Sequence, residues 1–190
     1  MKTNFIRNSF FAAIAIAFGS TLPAFAQDDA DDTHQITVVI PTVALLDLES
    51  ATSKDFSATF AQPTPLEAGQ KLNVPAVNNS LWLNYSSIQT LTTPKKVTVE
   101  TSAIVPGVDI NVTAAVSASG AGDLGDPTAS PVKLAVAPQS LITGIGSAYT
   151  VTGPNKGHQL TYAFLAEDGN YADLRSGSTT VTVKYTLADE

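Results

Sequence analysis

Three glycines, Gly120, Gly122 and Gly125, stand in the stretch "SASGAGDLGDP" at the spacing G-x-G-x-x-G. In a strand–turn–helix unit that spacing lets backbone N–H groups approach a pyrophosphate at a helix N-terminus. Here the glycines are followed by Asp126-Pro127-Thr128-Ala129-Ser130-Pro131. Two prolines so close together leave no room for the helix the chemistry needs. The glycines therefore read as a mobile hairpin loop, and no nucleotide cofactor is expected.

Nucleophilic chemistry would fall to Ser147 in "GIGSAYT" with His158 as its base. The order Gly-x-Gly-Ser-Ala is not the Gly-x-Ser-x-Gly elbow that exposes a hydrolase serine. His158 opens "HQLTYAF" after a Gly-Pro-Asn-Lys-Gly turn and is expected to face solvent. Glycoside cleavage would need two facing carboxylates from among Glu100, Asp109, Glu167, Asp168 and Asp173, at a separation that only the fold can set. His34 lies beside Asp31 and Asp32, too few donors at fixed spacing for zinc. The run from Asp28 to Asp32 lacks the glycine and glutamate of a calcium loop, and the chain has no cysteine to supply a thiolate. The expectation is a protein that is not an enzyme and has no cofactor or metal site.

Binding chemistry has one conspicuous candidate, "NNSLWLNYSSI", which holds the only tryptophan. Alternation along a strand puts Leu81, Leu83 and Tyr85 on one face and Trp82, Asn84 and Ser86 on the other. With the leucines inward, Trp82 faces out beside amides, the arrangement by which a β-surface stacks a sugar. Trp82 and its neighbour Tyr85 are thus candidate stacking residues for a glycan. Asn78, Asn84 and Asn111 each begin an Asn-x-Ser/Thr triplet, an acceptor only in a eukaryotic secretory route.

The elements that must position these residues begin with a leader. "MKTNFIRNSFFAAIAIAFGSTLPAFAQ" has Lys2 and Arg7, an apolar run from Phe10 to Phe18, and Ala24-Phe25-Ala26. This is the layout of a secretory signal peptide over residues 1–26, cleaved before Gln27. The apolar run is well short of the about 20 residues that cross a bilayer. The mature chain is expected to be secreted to the periplasm, the cell surface or the extracellular space, with no membrane-spanning segment. It carries eight Lys and Arg against 17 Asp and Glu, a negative balance that repels phosphate backbones and argues against nucleic acid as a partner. Residues 27–34 form an acidic, disordered leader.

From Gln35 the period is two, in one domain over residues 35–190. Val108, Ile110, Val112, Ala114 and Val116 alternate with polar or small residues, as do Val181, Val183, Tyr185 and Leu187. Val97 and Val99, then Val132, Leu134 and Val136, then Leu160, Tyr162 and Phe164 repeat the pattern. Segments rich in β-branched and aromatic residues, punctuated by proline and glycine turns, describe an antiparallel β-sandwich or barrel. Ile36, Val38 and Ile40 alternate in a first strand that either pairs in its own domain or inserts into a neighbour's sheet. The one helical candidate, "TVALLDLES" from Thr42 to Ser50, is too short and too β-branched at its start to stand as a helix.

The secretory leader, the free segment running into an alternating strand, the Thr- and Val-rich body and the terminal "TTVTVKYT" together resemble bacterial fimbrial subunits assembled by chaperones and ushers. The resemblance implies an all-β, immunoglobulin-like antiparallel β-sandwich that lacks a strand and is completed by the N-terminal donor strand of a neighbour. It implies Ile36, Val38 and Ile40 as the donor side chains, Val181, Val183 and Tyr185 in the final strand, and copies of itself or other surface subunits as partners. The expected role is a structural or adhesive surface protein. The rival is a secreted glycan- or ligand-binding module using Trp82 and Tyr85.

Overall fold

The structure is a computed structural model that describes residues 31–90 and 93–190. The signal peptide expected over residues 1–26, and the start of the acidic leader, lie outside the described residues. The described residues fall into two units, one ending at residue 38 and one spanning 39–190. In the first, residues 31–38 are irregular and exposed.

The second unit is almost entirely β. Its strands are β1 (Val43–Ser50), β2 (Asn78–Ile88), β3 (Lys95–Thr101), β4 (Asp109–Ala114), β5 (Ala121–Pro127), β6 (Val132–Lys133), β7 (Gln139–Tyr149), β8 (His158–Leu165) and β9 (Val183–Asp189), with a short 3₁₀ helix at Asp168–Asp173. All pairings are antiparallel. The path runs β6-β4-β8-β2-β7-β3-β9, while β1 pairs with β2 and β5 pairs with β7.

β2 links the two halves of this network, because Leu81 to Leu83 pair with β8 whereas Ser86 and Ser87 pair with β7. A strand that changes partners along its length is one way for packed faces to turn a corner. Both halves supply one core: Leu83, Val112, Leu160 and Tyr162 from the first meet Val97, Val99, Leu141, Ile145 and Tyr185 from the second. Phe56, from the irregular stretch after β1, closes one side, its ring edge-on to Tyr162 at 5.2 Å. The antiparallel all-β fold expected from the period-two segments is the fold of the described residues, built as a single hydrogen-bonded sheet.

One candidate is decided and three local expectations need correction. "VALLDLES" is strand β1, not helix, because β2 pairs with it over its whole length and period two places Leu46 and Leu48 against the core. The glycine motif is not a mobile loop, because Ala121 to Pro127 pair with β7. Ile36, Val38 and Ile40 do not lie in the first strand, which begins at Val43, and all three side chains are exposed. Val116 and Val136 stand exposed beyond the ends of β4 and β6, and Val181 precedes β9.

The glycine spacing has a plain origin in β5. A strand repeats every two residues, and the pairing with β7 slips between Gly122 and Leu124. One bulged residue converts i, i+2, i+4 into i, i+2, i+5. A Cβ at Gly120 would lie 2.0 Å from the Tyr149 carbonyl oxygen, at Gly122 2.1 Å from that of Ser147, and at Gly125 2.6 Å from that of Thr143. The three glycines let β5 lie close against β7.

Candidate functional site: the seam between the first and last strands

β1 uses one edge, pairing from Val43↔Ile88 to Ser50↔Leu81. β9 also uses one edge, pairing with β3 from Lys95↔Asp189 to Thr101↔Val183. Among the described residues β1 and β9 come within 8 Å Cα to Cα, yet they are not joined in a ladder. β1 and β9 thus approach each other along a seam with no ladder across it, and the second edge of each has no strand partner among the described residues.

Leu46 and Leu48 of β1 and Val183 and Leu187 of β9 are only partly buried, whereas Leu83, Val97 and Val99 on the interior strands are fully buried. Charges near the seam are already paired: Lys184 Nζ lies 2.9 Å from Glu100 Oε1, Lys95 binds Asp189, and Lys54 Nζ lies 3.0 Å from Asp47 Oδ1. The Lys54 ammonium holds the exposed Asp47 carboxyl below its ordinary pKa. A free strand edge suits an extended peptide, whose backbone bonds the edge while alternate side chains pack beside it.

The residues singled out in the sequence are not gathered into one site. Ile36, Val38 and Ile40 lie just ahead of β1. Trp82 is half-buried, paired with Glu49 on one side and Gln159 on the other. Tyr85 is 3% exposed and cannot stack on a ligand; its phase with Leu81 and Leu83 carries it into the core. Asn84 is also buried, its Nδ2 donating to the Gly153 carbonyl at 2.9 Å, so it is no surface acceptor.

His158 and Ser147 are not hydrogen-bonded to each other. Ser147 is exposed, and its Oγ accepts the Gln89 N–H at 3.2 Å. His158 is fully buried, contrary to expectation. It falls in phase with Leu160, Tyr162 and Phe164, the signal in the sequence that would have placed it inward. Its Nδ1 donates to the Ala115 carbonyl at 2.8 Å, and its Nε2 lies 2.8 Å from the Tyr85 hydroxyl, which also reaches the Leu124 carbonyl. Burial lowers the imidazole pKa, opposed in part by the Ala115 and Leu124 carbonyls.

The carboxylates mostly have cationic partners: Glu100 with Lys184, Asp109 with Lys133 at 2.7 Å, and Asp168 with Lys71. Asp109 and Asp173 also line an open cleft of about 400 Å³ with Gly107, Lys133, Asn170 and Arg175. Among the described residues no group of three or more His, Asp or Glu is placed to hold a metal ion. His34 is exposed in the irregular segment. Among these residues no helix is long and apolar enough to cross a membrane.

The seam itself was beyond sequence reasoning, since it depends on which strand edges are left without partners. Comparison with protein-family models, with curated proteins and with solved structures finds no match to this chain.

Proposed function

We propose that this chain is a secreted structural or adhesive surface subunit that polymerises by strand exchange, as its resemblance to fimbrial subunits implies. The observation that supports the reading is that β1 and β9 each have one edge without a strand partner, with Leu46, Leu48, Val183 and Leu187 of these strands only partly buried. The matching ligand lies in the same chain: Ile36, Val38 and Ile40, exposed and in no strand. Seated against a neighbour's free edge, their alternate apolar side chains would pack beside it while the backbone bonds it. The signal peptide, and residence at the periplasm or cell surface, belong to this proposal. So does the absence of catalytic chemistry.

The test is a shear preparation from native cells, run on SDS gels with and without boiling. A ladder that collapses to one band only on boiling is expected, and Val38→Asp should abolish it while the monomer keeps its β-rich circular dichroism. A single heat-indifferent band from wild type would overturn the reading. A glycan-binding role retains Trp82 and the polar cleft at Asp109 and Arg175, without Tyr85; a saturable change in Trp82 fluorescence with a glycan would favour it.

A further inference from the structure

The connection from β3 to β4, the first residue of β4, β6 and the end of the 3₁₀ helix line the open cleft of about 400 Å³. That volume falls within the range of about 300–1,000 Å³ typical of small-molecule sites. The walls of the cleft are fixed against each other. The Val108 N–H donates to the Val105 carbonyl at 3.1 Å, closing a turn in which Gly107 has φ +76°. Gly107 lies so close to Leu174 that a Cβ there would sit 2.6 Å from the Leu174 backbone nitrogen. Across the cleft Lys133 Nζ lies 2.7 Å from Asp109 Oδ1, and Asn170 Nδ2 reaches the same oxygen at 3.4 Å.

Asp173 and Arg175 flank Leu174, whose φ −58° and ψ 136° are extended. Side chains two apart along extended backbone share a side. Both Asp173 and Arg175 line the cleft, while Leu174 between them lies against Gly107. The guanidinium is held from one nitrogen: Arg175 Nη1 donates to the Ala172 and Leu174 carbonyls, each at 2.8 Å. Those two bonds use both Nη1 hydrogens. The Nε–H and Nη2–H groups remain, and they form the planar fork that matches a carboxylate.

The four charges lining the cleft sum to zero. Asp109 and Lys133 neutralise each other, which leaves Asp173 and Arg175, neither of which forms an ion pair among the described residues. A purely anionic ligand would meet Asp173 and the field of a chain of net charge −7. A purely cationic one would meet Arg175. Among the described residues no aromatic side chain lines the cleft to stack a sugar ring. One carboxylate and one guanidinium fork, two residues apart, complement a ligand that carries both charges, and Val105 and Pro106 supply apolar surface in the same cleft.

We propose that this cleft binds a free α-amino acid with an aliphatic side chain. Its carboxylate sits on the Nε and Nη2 edge of Arg175, its ammonium on Asp173, and its side chain against Val105 and Pro106. None of these residues belongs to β1 or β9, so the site stands or falls independently of strand exchange.

The experiment is isothermal titration calorimetry of the full-length chain at low salt, with L-leucine, N-acetyl-L-leucine, L-leucinamide and glucose as probes. Leucine is expected to bind. N-acetyl-leucine lacks the ammonium and leucinamide lacks the carboxylate, so each should bind at least about tenfold more weakly, the scale of one charge-assisted hydrogen-bonded pair. Arg175→Gln should weaken leucine by a like factor yet leave leucinamide as in wild type, because the group it would hold is already missing. Asp173→Asn should weaken leucine and leave N-acetyl-leucine unchanged. A substitution that merely loosened the loop would weaken every probe alike, and that result would overturn the assignment of the two residues. Arg175 also holds the Ala172 and Leu174 carbonyls, so Asp173→Asn decides if Arg175→Gln misfolds. No binding of leucine by wild type overturns the proposal. Equal affinity for the three leucine compounds, which means apolar capture alone, or tighter binding of glucose, which means a saccharide site, overturns it as well.

Discussion

Replacing Gly122 with alanine tests whether the glycine spacing serves strand packing. Gly122 has φ +91° and Gly69 has φ +90°, so alanine meets the same backbone penalty at either position. Placing an L-residue in this region costs about 1–2 kcal/mol. Nothing lies within 4 Å of a Cβ at Gly69, whereas at Gly122 it would sit 2.1 Å from the Ser147 carbonyl oxygen and 2.9 Å from Ala148 Cα. A carbon–oxygen contact settles at about 3.3 Å or more, so β5 must retreat by roughly 1 Å. That movement weakens the pairing at Ala121↔Tyr149 and Gly122↔Ala148. Strained packing costs about 1–3 kcal/mol and each lost hydrogen bond about 0.5–1.5 kcal/mol. Gly122→Ala should therefore lose about 2–4 kcal/mol more than Gly69→Ala. For a domain of this size each kcal/mol lowers the melting temperature by about 2–4 °C. Urea unfolding followed by Trp82 fluorescence, with unchanged slope, measures the difference. Equal losses at the two glycines would refute the packing account.

Three further predictions concern the buried polar groups. Burial raises the phenol pKa values of Tyr85 and Tyr185 and takes Tyr162 to about 12, so the folded state keeps protons the unfolded state releases from about pH 10 upward. Stability must then fall as pH rises above about 10, and absorbance at 295 nm should show three of the five tyrosines ionising only with unfolding; five independent titrations would contradict this. Burial lowers the His158 pKa, so its contribution to stability is complete above about pH 6.5, the unfolded value, and falls as the pH drops below it. Urea midpoints at pH 7.5 and 5.5 should separate more in wild type than in His158→Gln, and equal separations would sink the assignment. The Tyr162 and Tyr185 hydroxyls bond each other in the core, so Tyr162→Phe should cost about 1–3 kcal/mol by orphaning its partner. Adding Tyr185→Phe should cost less than its single effect, and strict additivity would mean that the pair is not coupled.

The legible part of this chain is the part governed by local alternation. "HQLTYAFL" and "VKYTLAD" read as strands because one face of each is apolar at period two, and they became β8 and β9. The same rule, carried one residue further, puts His158 on the face of Leu160 and Tyr85 on that of Leu83. Polarity and the preceding turn suggested solvent for His158, but the phase of the strand decides, and bonds to Ala115 and Tyr85 offset the burial of the ring. β1 and β5 failed for another reason. Adjacent leucines in "VALLDLES" and glycines with aspartates in "AGDLGDP" carry no strand pattern of their own, and each is held by a long partner, β2 or β7. The seam is further still from the sequence, because an edge is defined by what fails to pair with it. Alternation marks β9 as a strand, yet only the complete order of pairings leaves its second edge without a partner and brings it near β1. What the sequence carries about the seam is therefore its proposed occupant, the alternating Ile36, Val38 and Ile40.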